Sequence, residues 1–196
     1  MAALQNYIDL RFAVSDHVGN RAISDVFPRL VEMAEADFNS RLRTRRQIAE
    51  ATLTFEGGLS PLPPDFLEIV GVYGLHGSDL HASPTGAFLR PGSGYSSYQI
   101  DGYNISINGY SGDRTIQYYA KLPTLTNSPT ACNWLLRDYP SIYLYGVGLQ
   151  AAKHLRDQEL AVATSSLYGE AIQLLRVDDE RARWSNSIVR VQGLTP

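Results

Sequence analysis

The chain has 196 residues, 44 % apolar and 19 % charged, with a formal net charge of −3 and a single cysteine, Cys132. This is a globular composition, long enough for a real core in one domain or in one domain with an inserted lobe. It excludes an intrachain disulfide and a Cys-based zinc site, and it gives no support to a general nucleic-acid coat, which would be basic.

The start, MAALQNYIDLRF, carries no secretory n-region or h-region, and no apolar run is long enough to span a bilayer. The expectation is a chain made and kept in a cytosol, or assembled from there into something larger. Residues 3–14 place Leu4, Tyr7, Ile8 and Phe12 on one helical stripe, and SDHVGN then breaks it with turn formers. Pro28 suits the first turn of a second helix. Its stripe is Leu30, Val31, Ala34, Phe38 and Leu42, with Glu32, Glu35, Asn39 and Arg43 on the opposite face. Arg41, Arg43, Arg45 and Arg46 crowd the end of that helix, where cations complement the dipole.

The middle of the chain changes period. ATLTFE (51–56) alternates like a strand, GGLSPLPPD is a stiff turn that no helix crosses, and FLEIVGVYGL reads as a second strand. SYQIDGYNISI predicts a hairpin turning at Asp101-Gly102, with Ile100 opposite Tyr103 and Tyr98 opposite Ile105. These four side chains and Ile107 then share one face. TIQYYA (115–120) adds a strand, and residues 83–95 read as a surface loop. Helix returns from Pro140 to about 156, with a stripe of Ile142, Tyr145, Leu149, Ala152 and Leu155. A last helix covers Glu159–Arg183, with a stripe of Leu160, Ala163, Leu167, Ile172 and Leu175. The tail SNSIVRVQGLTP alternates without a partner and reads as an extended arm.

Together these predict an α+β fold: an antiparallel helical bundle with an inserted antiparallel β-sheet lobe and an extended C-terminal arm. The expected division is 1–47 and 123–183 for the helical body, 48–122 for the lobe and 184–196 for the arm.

Chemistry-bearing patterns are sparse. His17, His76, His81 and His154 form no pair at helical metal-ligand spacing, and His76 with His81 around Asp79 reads as a hairpin surface rather than a metal site. Gly146-x-Gly148-x-x-Ala151 has the form of a dinucleotide fingerprint but lacks the strand that the motif needs before it, so close helix approach is the better reading. Asp178, Asp179 and Glu180 are consecutive and splay around a helix, which is poor geometry for an acid–base pair. The arginines at 41, 43, 45 and 46 fit a solvated, ion-paired terminus; the functional alternative is contact with phosphates or an acidic neighbour. In NWLLRDYPSIYLYG (133–146), Pro140 separates Trp134 from Tyr143 and Tyr145. The two tyrosines point to different sides of a helix, which leaves Tyr143 as a candidate interface aromatic.

Four phrases in order carry a resemblance: AEADFNSRLRTR, ATLTFEGGLSPLPPDFLEIVGVY, TIQYYAKLPTLT and NWLLRDYPSIYLYGVGLQAAKHLRDQELA. From about residue 28 to 183 the chain resembles the head-to-tail connector adaptors of tailed bacteriophages. The resemblance implies a structural virion protein at the head–tail junction (the neck), made in the host bacterial cytoplasm. It implies a self-assembled ring, commonly twelvefold, beneath the portal. The ring extends a channel for double-stranded DNA, read without sequence specificity, and docks the next tail or nozzle component. It implies no enzyme, no cofactor and no membrane. On this reading Arg41, Arg43, Arg45 and Arg46 are candidate channel or subunit contacts, and Ile188, Val189, Arg190 and Val191 form a candidate portal-binding arm. Another ring-forming neck or tail-tube protein, or a nucleotide-binding enzyme resting on the two glycines, stays open as an alternative.

Overall fold

A computed structural model describes residues 4–73, 80–83 and 97–184 of the chain. The arm residues Ile188, Val189, Arg190 and Val191, together with His76 and nearly all of the 83–95 loop, lie outside the described residues. The chain divides into two compact units, Met1–Arg45 with Leu122–Pro196, and Arg46–Lys121.

The first unit is helical: α1 (Tyr7–His17), α2 (Phe27–Arg41), α3 (Trp134–Asp138), α4 (Pro140–His154) and α5 (Gln158–Trp184). Helix α1 starts later than the pattern suggested because Asn6 caps it. The Asn6 side chain accepts from the Asp9 amide at 3.0 Å, and the Asp9 carboxylate accepts from the Gln5 amide at 3.2 Å. Its buried stripe is Tyr7, Leu10 and Val14, while Phe12 is 60 % exposed with the Arg11 guanidinium over its ring. The helical period holds but its phase is shifted, because the smaller Leu10 and Val14 take the inward positions. Helix α2 buries the expected Leu30, Val31, Ala34 and Phe38, with Leu42 just beyond its end, and it buries Glu35 as well.

Helix α4 is the centre of this unit and packs against α1, α2, α3 and α5. Its middle is therefore buried on nearly all sides: Ile142, Tyr143, Gly146, Val147, Gly148, Leu149, Ala151 and Ala152. A Cβ on Gly146 would stand 2.5 Å from Phe38 Cε1, and one on Gly148 would stand 2.9 Å from His17 Cδ2. Both glycines sit mid-helix and let rings from α2 and α1 lie against the α4 backbone. No strand precedes them, so the dinucleotide fingerprint fails on the geometry it requires. Just beyond α4, Arg156 takes φ +57, and Asp157 then caps α5 by accepting from the Leu160 amide at 3.0 Å. Helix α5 buries Thr164, Tyr168, Ala171, Ile172, Leu175 and Asp179. Only Ile172 and Leu175 of its expected stripe are inside, and Ala163 and Leu167 are exposed.

The second unit holds β1 (Ile48–Phe55), β2 (Leu59–Pro61), β3 (Phe66–Val72), β4 (His81–Ala82), β5 (Ser97–Asp101), β6 (Asn104–Ser106) and β7 (Gly112–Ala120). They form one sheet in the order β1-β7-β3 and another in the order β2-β6-β5-β4. All pairs are antiparallel except β4 with β5, which run parallel, so the lobe departs from the purely antiparallel expectation at that short edge. The β5–β6 hairpin exists in a shifted register: Ile100 pairs with Ile105 and Asp101 with Asn104, leaving Gly102-Tyr103 as the turn. Gly102 takes φ +59 at the first central position, which is the position where a type II′ turn requires glycine. A shift of two residues keeps the same face inward. Tyr98, Ile105 and Ile107 accordingly join Phe55, Val72, Leu80, Ile116 and Tyr118 in the core of this unit. The α+β class is as expected.

Candidate interaction surfaces

Three buried or half-buried polar clusters fix the helical unit. In the first, Glu35 Oε1 accepts from Tyr143 Oη at 2.8 Å and from the Leu125 amide at 2.7 Å. Asn133 Nδ2 donates to Tyr143 Oη at 2.6 Å and to the Pro123 carbonyl at 2.8 Å, while its Oδ1 caps α3 through the Leu136 amide. Burial pushes the Glu35 carboxyl above the usual range, against the opposing effect of these two donors. Burial, followed by the nearby Glu35 charge, raises the Tyr143 phenol. In the second cluster Tyr168 donates to Asp37 at 2.7 Å, and Arg41 pairs with the same carboxylate at 2.9 Å. In the third, Asp179 on α5 accepts from the Arg45 amide at 2.9 Å and from Arg183 Nε at 2.8 Å. Arg176 and Arg183 donate to the carbonyls of Arg41 and Arg43 at 3.3 Å. Helix α5 thus clasps the chain where it leaves α2.

Among the described residues, two of the exposed apolar surfaces of the helical unit stand out. One is a shallow groove between α2 and the end of α4, lined by Val26, Leu30 and Met33 and edged by Arg29, Lys153 and His154. Met33 is half exposed within it. The other is a flank of α5 beside its buried stripe, where Leu167 and Leu174 lie two helical turns apart with Ala163 and Glu170 on the same side. Leu174 is 70 % exposed, a large apolar area to leave in water on a charged helix. In the β unit, Tyr103 stands almost fully exposed at the hairpin tip. Among the described residues no group of three or more His, Cys, Asp or Glu is placed to hold a metal, and no helix is long and apolar enough to cross a membrane.

The chain matches the family model of the SU10 adaptor protein over residues 5–192. The chain belongs to that family. The match spans both units and reaches beyond the 28–183 range over which the sequence itself carried the resemblance. No curated protein matches the chain at a significant level.

In this adaptor the arginines at 41, 43 and 45 each have partners within the helical unit. Helix α2 ends at Arg41, so the four arginines of the 41–46 segment do not share a helix as their crowding suggested. Arg41 is held by Asp37, and Arg43 Nη1 donates to the carbonyls of Asn39 and Leu42, closing the helix end. Arg45 gives its amide to Asp179, and its guanidinium lies 3.8 Å from the same carboxylate. Arg46 is exposed and begins the β unit. Tyr143, the candidate interface aromatic, is completely buried, edge-on to Phe38 at 5.0 Å between ring centroids. It is covered by its own unit, with α1, α2, α3 and α5 packed against α4. Tyr145 is the partly buried one of the pair, so their expected roles are exchanged. Of the three consecutive acids, Asp178 accepts from Tyr139, Asp179 is buried and Glu180 is exposed. Neither Asp179 nor Glu35 was legible as a structural acid, since carboxylates are ordinarily placed outside. The usable signal for Asp179 was its fit to the 164/168/172/175 spacing.

Proposed function

We propose that this SU10-family adaptor assembles into a ring beneath the portal at the neck of a tailed-phage virion, extends the DNA channel and docks the next tail or nozzle component. The observation that carries the reading is the family match over residues 5–192. Two different exposed apolar surfaces on one subunit support it, because a closed head-to-tail ring needs two unlike, complementary faces. Net charge −3, with several basic side chains already tied down, suits a channel through which duplex DNA slides without sequence-specific contact. Ile188, Val189, Arg190 and Val191 are proposed to dock on the portal, and Arg41, Arg43, Arg45 and Arg46 remain candidate channel or subunit contacts.

The test is native mass spectrometry of the full chain alone and with purified portal from the same phage. A twelvefold ring of 21.7 kDa subunits has a mass of about 260 kDa. A portal-dependent ring of this order is the expected result, and a chain that stays monomeric with portal present would overturn the proposal. Removing residues 184–196 should lower portal binding while cooperative melting is kept.

A further inference from the structure

We infer that the exposed flank of α5 docks into the α2–α4 groove of the neighbouring copy, and that this is the subunit contact of the ring; the inference rests on the ring reading above. The two surfaces are complementary in kind. The groove has an apolar floor of Val26, Leu30 and Met33 and a rim of Arg29, Lys153 and His154. The flank has an apolar line of Ala163, Leu167 and Leu174 with Glu170 beside it; beyond Leu174 come Asp178, which already accepts from Tyr139, and then Arg181. Basic and neutral polar side chains line the groove around its apolar floor, and Glu170 lies between the two leucines of the flank. That pairing fixes the direction of docking and disfavours groove on groove or flank on flank, where like charges meet.

The arrangement also explains an oddity of α5. Its sequence has two apolar lines, one through Tyr168, Ile172 and Leu175 that is buried and one through Leu167 and Leu174 that is not. A helix that only packs against its own unit needs the first alone. The second has the spacing of a helix meant for a groove, with anchors two turns apart. Because flank and groove are different surfaces of the same unit, the contact is heterologous: each copy offers one to each neighbour, which propagates rather than stopping at a dimer.

The inference is tested with the full chain under conditions where wild type forms rings on portal. Leu174→Asp and Met33→Asp each place a carboxylate at an already exposed position, so both variants keep the wild-type thermal melt while the ring population falls at least about tenfold. Glu170→Arg and Arg29→Glu each weaken the contact about two- to fivefold, as expected for rim charges. Mixing these two variants restores assembly, because alternating copies again pair opposite charges at every contact. Folded Leu174→Asp or Met33→Asp chains that still form rings at the wild-type level would overturn the inference, as would failure of the mixture to recover, and both leave the adaptor reading standing. Absence of rings from wild type with portal present would instead remove the reading on which the inference depends.

Discussion

Single positions in the helical unit show how narrow the margins are. Gly146 sits where a Cβ would lie 2.5–2.6 Å from two Phe38 ring atoms, whereas nothing lies within 4 Å of a Cβ built on Gly169. Both are helical glycines, so alanine gains up to about 1 kcal/mol of propensity at either site. At Gly146 the overpacking against a fully buried ring costs about 1–3 kcal/mol and wins. Gly146→Ala is therefore expected to lower the melting temperature and Gly169→Ala to raise it by a few degrees, both read by thermal denaturation. Glu35 supplies a second test. Its folded-state pKa is raised by burial, so the native state holds more protons than the unfolded chain between the two values. Stability must then fall as pH rises through that window, the reverse of an ordinary ion-paired carboxylate. His17, hydrogen-bonded to Thr164 at 2.9 Å and shifted down by burial, acts oppositely and loses stability as pH falls below about 6.5. Comparing Glu35→Gln with wild type by urea unfolding from pH 4 to 8 cancels the histidine contribution. The advantage of the Gln variant should grow with pH, and a flat difference would show that the carboxyl is not shifted. Glu35→Ala should instead cost about 1–3 kcal/mol at pH 4, since the Leu125 amide loses its acceptor, and that cost should shrink with rising pH as the Gln advantage grows.

At the level of elements, the period of every long helix was legible and the phase often was not. A stripe is readable when a helix has one buried face, as α2 does. Helix α4 has four helical neighbours, so no choice of stripe could place Tyr143 and Tyr145 correctly. On α5 the leucines pointed to Leu160, Ala163 and Leu167, but the unit buries the line through Thr164 and Tyr168, whose polar atoms are satisfied by His17 and Asp37. Hydrophobicity alone could not anticipate polar groups paired across helices. The same pairing makes Asp179 the clasp between α5 and the segment after α2. Asp179→Ala removes the acceptor of the Arg45 amide and the partner of Arg183, a loss of about 2–3 kcal/mol for bonds to a buried charge. Hydrogen exchange should show the Arg45 amide losing protection while the middle of α4 keeps it. Retained protection at Arg45 would mean that the turn is held by the backbone alone.

For the whole molecule, the consequential feature is that the chain leaves and re-enters the helical unit at anchored points. The Arg45 amide is held by Asp179, and the Leu122 amide donates to Asn39 Oδ1 at 2.8 Å. Residues 46–121 carry their own core of Phe55, Val72, Ile105, Ile116 and their neighbours. The change of period from helical to alternating was enough to read an insertion from sequence; the parallel β4–β5 edge was not, because two-residue strands carry no period. If each unit is stabilised mainly by its own core, replacing residues 46–121 with a short glycine–serine linker should leave a helical protein that melts cooperatively, since closing a short flexible loop costs little. Circular dichroism checks the fold. The same variant then bears on assembly, because the α5 flank and the α2–α4 groove both belong to the unit that remains. It should still form rings with portal present. A folded but monomeric variant would place an essential contact in the β unit, with the almost fully exposed Tyr103 at the hairpin tip as the first residue to change.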